Sequence, residues 1–404
     1  MKNTTKTFLT GALLLAVVFG IPGTTFASSS SSSSDIEVSG WVPYWVGTTG
    51  TTAAINHIDT FSMINPFTYT LKTDGTPYAN ADLKKGIWDD MLDEAKDVDV
   101  DIVPTIMNGS GEFMHGMLSD DDTREEFVED IASLVKKNRW NGIDIDFEGK
   151  KADTREYFAD FVKELNSELG SSKKLVCTIE ARTPPTSLYR VIPPNLEYAN
   201  DYKAIGKYCD IVQIMTYDQG RADLLLNEKR SGAPYIPIAD NEWVEKVIQL
   251  AIKDIPASKI MLGVATYGHE YNVTVAPNWF KEYKKTQSIN SVYALASSTN
   301  LKIEPYRTGS GELAITFPNM GTPIFDKTIV VPAGTQPGAM VAQQSLAYAN
   351  KTGKTVTFSM IWWSDARGIE DKVELAEKYD LRGVSLFSID GKEDPDMWEV
   401  LGEN

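Results

Sequence analysis

The chain is poor in the residues that build metal and redox sites. Its 404 residues include only 2 cysteines and 3 histidines. His57, His115 and His269 lie far apart without ligand spacing, so each reads as structural and a zinc hydrolase is not indicated. Cys177 and Cys209 are too few for a disulfide framework, and both are expected to be buried free thiols rather than a bridge. Positive charge is also scarce. Lys and Arg number 39 against 56 Asp and Glu, a formal net charge of −17. That balance argues against nucleic acid and anionic membranes as partners and suits a neutral polymer. Long apolar runs are absent beyond residues 8–21, a stretch too short to prefer a membrane span, so no membrane insertion is expected.

That stretch has the layout of a secretory signal. Lys2 and Lys6 precede the apolar run, and Thr25-Phe26-Ala27 places small residues where a signal peptidase reads. Residues 1–27 are therefore expected to be a signal peptide, and the protein secreted and extracellular, free or cell-wall associated. Residues 28–35, mostly serine, read as a flexible linker, with the folded part spanning 36–404. With 42% hydrophobic residues the whole chain has material for a large core, and a monomer is expected.

What the chain does have is Asn141-Gly142-Ile143-Asp144-Ile145-Asp146-Phe147-Glu148, in which apolar and acidic residues alternate strictly. In a strand this puts Ile143, Ile145 and Phe147 on one face and Asp144, Asp146 and Glu148 on the other. Carboxylates in file repel one another, and burial adds a desolvation cost. Both favour a proton on at least one of them near neutral pH. A protonated carboxyl beside ionised ones is what acid-catalysed glycosidic cleavage requires. Two other readings compete. One is a surface strand with a solvated acidic face. The other is a calcium loop, but its twelfth position is Arg155, and Ile145 and Phe147 are too bulky for a ligand loop.

The rest of the chain favours catalysis. Apolar runs at 36–41, 60–69, 101–107, 142–148, 175–181, 210–217, 259–267 and 383–389 read as strands. Helical periodicity at 81–95, 123–138, 154–169, 242–253 and 369–379 separates many of them. This order predicts an α/β fold, a (β/α)8 TIM barrel. About 90 residues, 269–360, interrupt it with strand-like patches at 312–317 and 328–331, and read as an α+β insertion after strand 7. Barrel sites lie at the C-terminal ends of strands, where Glu148 is outermost, Asp146 one layer deeper and Asp144 deeper still.

The stretch 141–148 resembles the DGxDxDxE signature of glycoside hydrolase family 18, with Asn141 in place of the first Asp. Gln213-Ile214-Met215-Thr216-Tyr217-Asp218 looks like the family's sixth-strand QxMxYD, and 363–369 and 381–390 are similar to its last helix and eighth strand. The resemblance implies a glycosidase cleaving β-1,4 bonds beside N-acetylglucosamine by a retaining, substrate-assisted mechanism, without cofactor or metal. Glu148 would be the proton donor, Asp146 would orient the acetamido group, Asp144 would modulate Asp146, and Tyr217 would bond the acetamido oxygen. Asp218, Gln213 and Met215 would line the sugar site, with Phe387 where the family usually has Trp. Thr105 falls where the family has Ser and is expected to bond Asp144. Trp41, Trp45, Trp362 and Trp363 are stacking candidates, whereas Trp88, Trp140 and Trp243 read as structural. The expected partner is a GlcNAc-containing polysaccharide. Chitin or chitooligosaccharide comes first, peptidoglycan of spore or cell wall second, and a glycoprotein glycan third. The rival of another class is a catalytically inactive chitin-binding lectin, against which the retained Glu148, Asp146 and Tyr217 argue.

Overall fold

The computed structural model describes residues 36–402. The expected signal (1–27) and linker (28–35) lie outside the described residues. Within them, eight parallel strands close a barrel: β1 Glu37–Pro43, β2 Met63–Leu71, β3 Thr105–Asn108, β4 Gly142–Phe147, β5 Lys174–Glu180, β6 Ile211–Met215, β7 Ile260–Ala265 and β8 Gly383–Phe387. Each strand pairs with the next and β8 pairs back onto β1, so the ring has no open edge. The helices Asp121–Asn138, Arg155–Leu169, Asn241–Ala251 and Ala366–Lys378 fall within a few residues of where the apolar periodicity placed them, while the helix expected over 81–95 is Ile87–Asp97 and starts six residues later. Asp120, Asp240 and Asp365 cap three of them by accepting first-turn amide hydrogens.

Two local features shape the acidic strand's surroundings. Pro104 has no N–H, and the third strand divides there: Asp101–Ile102 pairs with β2 separately from β3. A Cβ on Gly142 would lie 2.2 Å from the Lys174 carbonyl oxygen, so the close approach of β4 to β5 requires glycine. The outward side chain of Phe147 stacks on Phe127 and Phe161 of the helical layer, with ring centroids 6.1 and 5.7 Å away. That packing commits the opposite, acidic face to the barrel interior.

The interior is layered. Met63, Val103, Val176, Ile211 and Met261 form an apolar plug. Above it lies a polar layer in which Ser39 Oγ is within hydrogen-bonding distance of Gln213 Oε1, at 3.1 Å, and of Ser385 Oγ, at 2.7 Å. Gln213, expected in the sugar site, is fully buried in this layer and does not line the cleft. Its strand position carries the side chain inward one step too deep to reach the mouth.

The insertion is a five-stranded antiparallel sheet after β7, in the order Trp279–Asn290, Tyr267–Ala276, Val356–Trp363, Leu313–Phe317, Tyr306–Arg307. Helices Ser291–Leu301 and Met340–Thr352 accompany it. Residues 328–331, expected as a strand, are irregular and include exposed Val330. Trp363, expected to stack on sugar, is instead fully buried beside Ile289, Ile315 and Ile361 within the insertion, because its strand turns that face away from the cleft. Trp362 is buried too and donates to Glu312 Oε2 at 2.7 Å.

The cysteines also depart from expectation: Cys177 and Cys209 form a disulfide. Cys177 shares the outward face of β5 with Leu175 and Ile179. Cys209 follows helix Tyr202–Tyr208, which returns the chain to β6. The crossover between neighbouring parallel strands brings their Cα atoms to 6.0 Å, within bridging range.

Candidate active site

A cleft of about 560 Å³ opens at the C-terminal ends of the strands. Asp146, Glu148, Tyr217, Asp218, Met215, Phe387 and Trp41 all line it. Strand alternation puts Asp146 in its floor and Glu148 at the strand's exit, half-buried.

Asp144 lies beneath them, fully buried. Its Oδ2 accepts from Trp41 Nε1 at 3.0 Å and from Thr105 Oγ1 at 2.7 Å, and its Oδ1 accepts from Thr178 Oγ1 at 2.7 Å. The bond expected from Thr105 is therefore present. Burial pushes Asp144 up to about 6 despite these three donors, each of which favours the charged form. Asp146 is raised well above the usual carboxylate range, first by burial and then by the charges of Glu148 and Asp144. Among the described residues no group donates to its Oδ1. Glu148 is raised by burial, then by Glu180 and Asp218, while Lys150 opposes the rise. The file thus holds at least one proton at a pH where free carboxyls have none. Its members titrate as a coupled set.

Tyr217 stacks on Phe387, centroids 5.6 Å apart, and burial followed by the charge of Asp146 keeps its hydroxyl protonated. Asp218 has left-handed backbone, φ 52, a conformation that non-glycine residues keep where the surroundings enforce it. Burial pushes its carboxyl up, but bonds from His269, at 3.0 Å, and Tyr267 outweigh that and hold it below its ordinary value. His269 and Tyr267 belong to the insertion's first strand and line an adjoining cavity that shares Trp45, Asp218 and Phe387 with the cleft. Trp45, 56% exposed at the cleft, meets Phe67 edge-on and leaves a face open to a ligand.

Trp243 and Glu180 in the cleft, and Lys150 behind it, were given no site role by the sequence reading. Trp243, read as structural, lines the cleft while donating from Nε1 to Thr183 Oγ1 at 2.8 Å. Glu180 lines it from the end of β5. Lys150 is buried beside Glu180, Nζ to Oε2 3.9 Å. Glu180 and Lys150 had a signal: a carboxylate at the exit of an apolar barrel strand, and a cation two residues after the acidic file. Trp243 had none, because helical periodicity marks only that it is buried.

Among the described residues no cluster of His, Cys, Asp and Glu could hold a metal ion. An acid in a buried anionic file, a neutral phenol and an aromatic floor can protonate a leaving oxygen and hold a polar ring. The family model for glycosyl hydrolases family 18 matches residues 44–392. The chain belongs to that family. It is accordingly a glycoside hydrolase, built on the family 18 barrel. A cortical fragment-lytic enzyme of Bacillus anthracis is 25% identical over 356 residues, 87% of this chain and 70% of the relative. Among solved structures, the Bacillus cereus spore cortex-lytic enzyme SleL matches with a TM-score of 0.66 at 21% identity, covering 91% of this chain and 73% of that one. A class V chitinase from Pseudomonas fluorescens Pf-5 matches with a TM-score of 0.68 at 20% identity, over 91% and 98% of the two chains. At such identities the structural likeness speaks for the fold of this family 18 hydrolase.

Proposed function

We propose that this family 18 hydrolase is secreted and cleaves β-1,4 linkages beside N-acetylglucosamine, in chitin or chitooligosaccharides, by a retaining mechanism in which the substrate's acetamido group is the nucleophile. The observation that carries the reading is the convergence of Asp146, Glu148 and Tyr217 on one cleft, with Asp144 locked beneath them. Glu148 gives its proton to the glycosidic oxygen as the bond to the anomeric carbon breaks. The acetamido oxygen attacks that carbon, forming an oxazolinium ion. Water then attacks the anomeric carbon on the face that the leaving group left, displacing the acetamido oxygen and losing its proton to Glu148, so configuration is retained. Asp146 Oδ1 accepts the acetamido N–H and stabilises the cation, and Tyr217 donates to the acetamido oxygen.

The cortical fragment-lytic relative, matched over 87% of this chain, favours a second reading: a peptidoglycan N-acetylglucosaminidase of spore or cell wall. The experiment is hydrolysis of a fluorogenic chitobioside, colloidal chitin and purified peptidoglycan side by side. Release from the first two supports the main reading, and release from peptidoglycan alone supports the second. Binding of chitooligosaccharides without cleavage of any substrate would leave a lectin. Secretion rests on the pattern of residues 1–27 and is supported by the Cys177–Cys209 disulfide, which suits an oxidising compartment. Recovery of intact residues 1–27 on the native protein would refute it.

A further inference from the structure

The peptide groups on either side of Glu148 are both held by side chains that the family signature does not contain. On the N-terminal side, Lys150 Nζ donates to the Phe147 carbonyl. On the C-terminal side, the Gly149 N–H donates to Glu180 Oε1 at 2.8 Å. The two side chains face each other, Lys150 Nζ lying 3.9 Å from Glu180 Oε2. Asn200 Nδ2 fixes that second oxygen at 2.8 Å. Glu148's own N–H donates to the Asn108 carbonyl at 2.9 Å. Between these bonds, Gly149 takes a left-handed conformation, φ +65, that turns the chain sharply after the strand.

We propose that Lys150 and Glu180 are positioning residues for Glu148: an ion pair that grips the backbone on both sides of the acid and sets the charge it experiences. The inference rests on the reading of Glu148 as the proton donor. The Lys150 side chain is fully enclosed, its ammonium 4.5 Å from the centre of the Phe158 ring. A buried ammonium costs free energy that a methionine of similar shape would not, so stability alone gives no reason for it. Its surroundings do. Glu180 from β5 and Asp218 after β6 are the anions that act on Glu148, and Lys150 is the cation that opposes them. Its charge likewise opposes the rise of Asp146 and favours ionised Glu180. The neutral neighbours are Asn108 from β3 and the Tyr217 phenol.

The two partners should therefore move Glu148 in opposite directions. Removing the cation in Lys150→Met leaves Glu148 among anions, so its ionisation moves to higher pH. Removing the anion in Glu180→Gln leaves Lys150 nearby, so it moves to lower pH. Each shift is expected to be about one pH unit. Lys150→Arg keeps the charge and should stay close to wild type. The test is a ¹³C-carboxyl NMR titration of glutamate-labelled full-length protein, with the Glu148 signal assigned by its loss in Glu148→Gln. The alkaline limb of kcat/KM on a fluorogenic chitobioside is measured in parallel. Opposite shifts in both readouts support the proposal. Shifts of the same sign, or neither above about 0.3 unit, overturn it and leave the pair merely structural. If Lys150→Met does not fold, Glu180→Gln alone decides by its downward shift or the lack of one. Because the NMR titration needs no turnover, an enzyme inert towards every GlcNAc glycoside refutes the functional reading and still tests the clamp.

Discussion

Asp144→Asn should stabilise the protein at neutral pH while damaging its activity. In the fold burial pushes Asp144 from an ordinary 3.8 up to about 6. At 1.36 kcal/mol per unit, keeping this carboxylate ionised in the folded state costs about 3 kcal/mol relative to the unfolded chain. The sign follows from the direction of the shift. A folded value above the unfolded one means that the folded state binds the proton more tightly. Stability from this group is thus fully present below about pH 4 and is lost as pH rises through about 6. An asparagine carries no charge, so it escapes that loss. It also presents an amide where the carboxylate accepted from Trp41, Thr105 and Thr178, and forfeiting one such bond returns about 1–1.5 kcal/mol. The variant should therefore be more stable than wild type by about 2 kcal/mol at pH 7.5 and slightly less stable at pH 4. Urea denaturation at the two pH values measures this, with chitobioside hydrolysis alongside. A difference that does not change between pH 4 and 7.5, or a variant weaker at both, would refute the electrostatic account of the file.

Other outcomes follow from the same geometry. Glu148→Gln should lose about 10²–10⁴-fold in kcat with a thermal midpoint no lower than wild type, since it removes the transferable proton and keeps the shape; steady-state kinetics and calorimetry check it. The wild-type rate should persist above pH 4.5 before falling, because burial raises Glu148 and a raised acid keeps its proton to higher pH; a pH–rate profile that declines at the ordinary glutamate value counts against this. Replacing Cys177 and Cys209 together by serine should cost about 3–4 kcal/mol, the entropy of the unfolded loop that the bridge closes over a separation of 32 residues, read by urea denaturation under non-reducing conditions. Trp45→Ala should raise KM about tenfold at most and leave kcat near wild type, as loss of an exposed stacking face removes about 0.5–1.5 kcal/mol of ring contact; an unchanged KM for chitooligosaccharides would show that Trp45 carries no sugar.

Much of the architecture was legible because it rests on short-range rules. Strand alternation in residues 141–148 and helical periodicity in residues such as Phe158, Phe161, Val162 and Leu165 do not depend on what lies far away in the chain. Positions at the exits of barrel strands were readable for the same reason, and Asp146, Glu148, Tyr217 and Phe387 meet in the cleft. Gln213 was misplaced because alternation gives a side chain's face and not its depth, and one step along a tilted strand separates the polar layer from the mouth. Trp363 and residues 328–331 were misread inside the insertion, where antiparallel register decides which face is covered and no repeating barrel geometry guides the assignment.

The sequence by itself determined that three carboxylates share one face of a strand and that this strand belongs to an alternating α/β barrel, because both are periodicities of the local backbone. Only the tertiary structure decided that Cys177 meets Cys209, that Trp243 reaches the cleft, and that Lys150 and Glu180 close around Glu148. Those meetings depend on the register between neighbouring strands and on how each connecting loop returns, and no single segment carries that information.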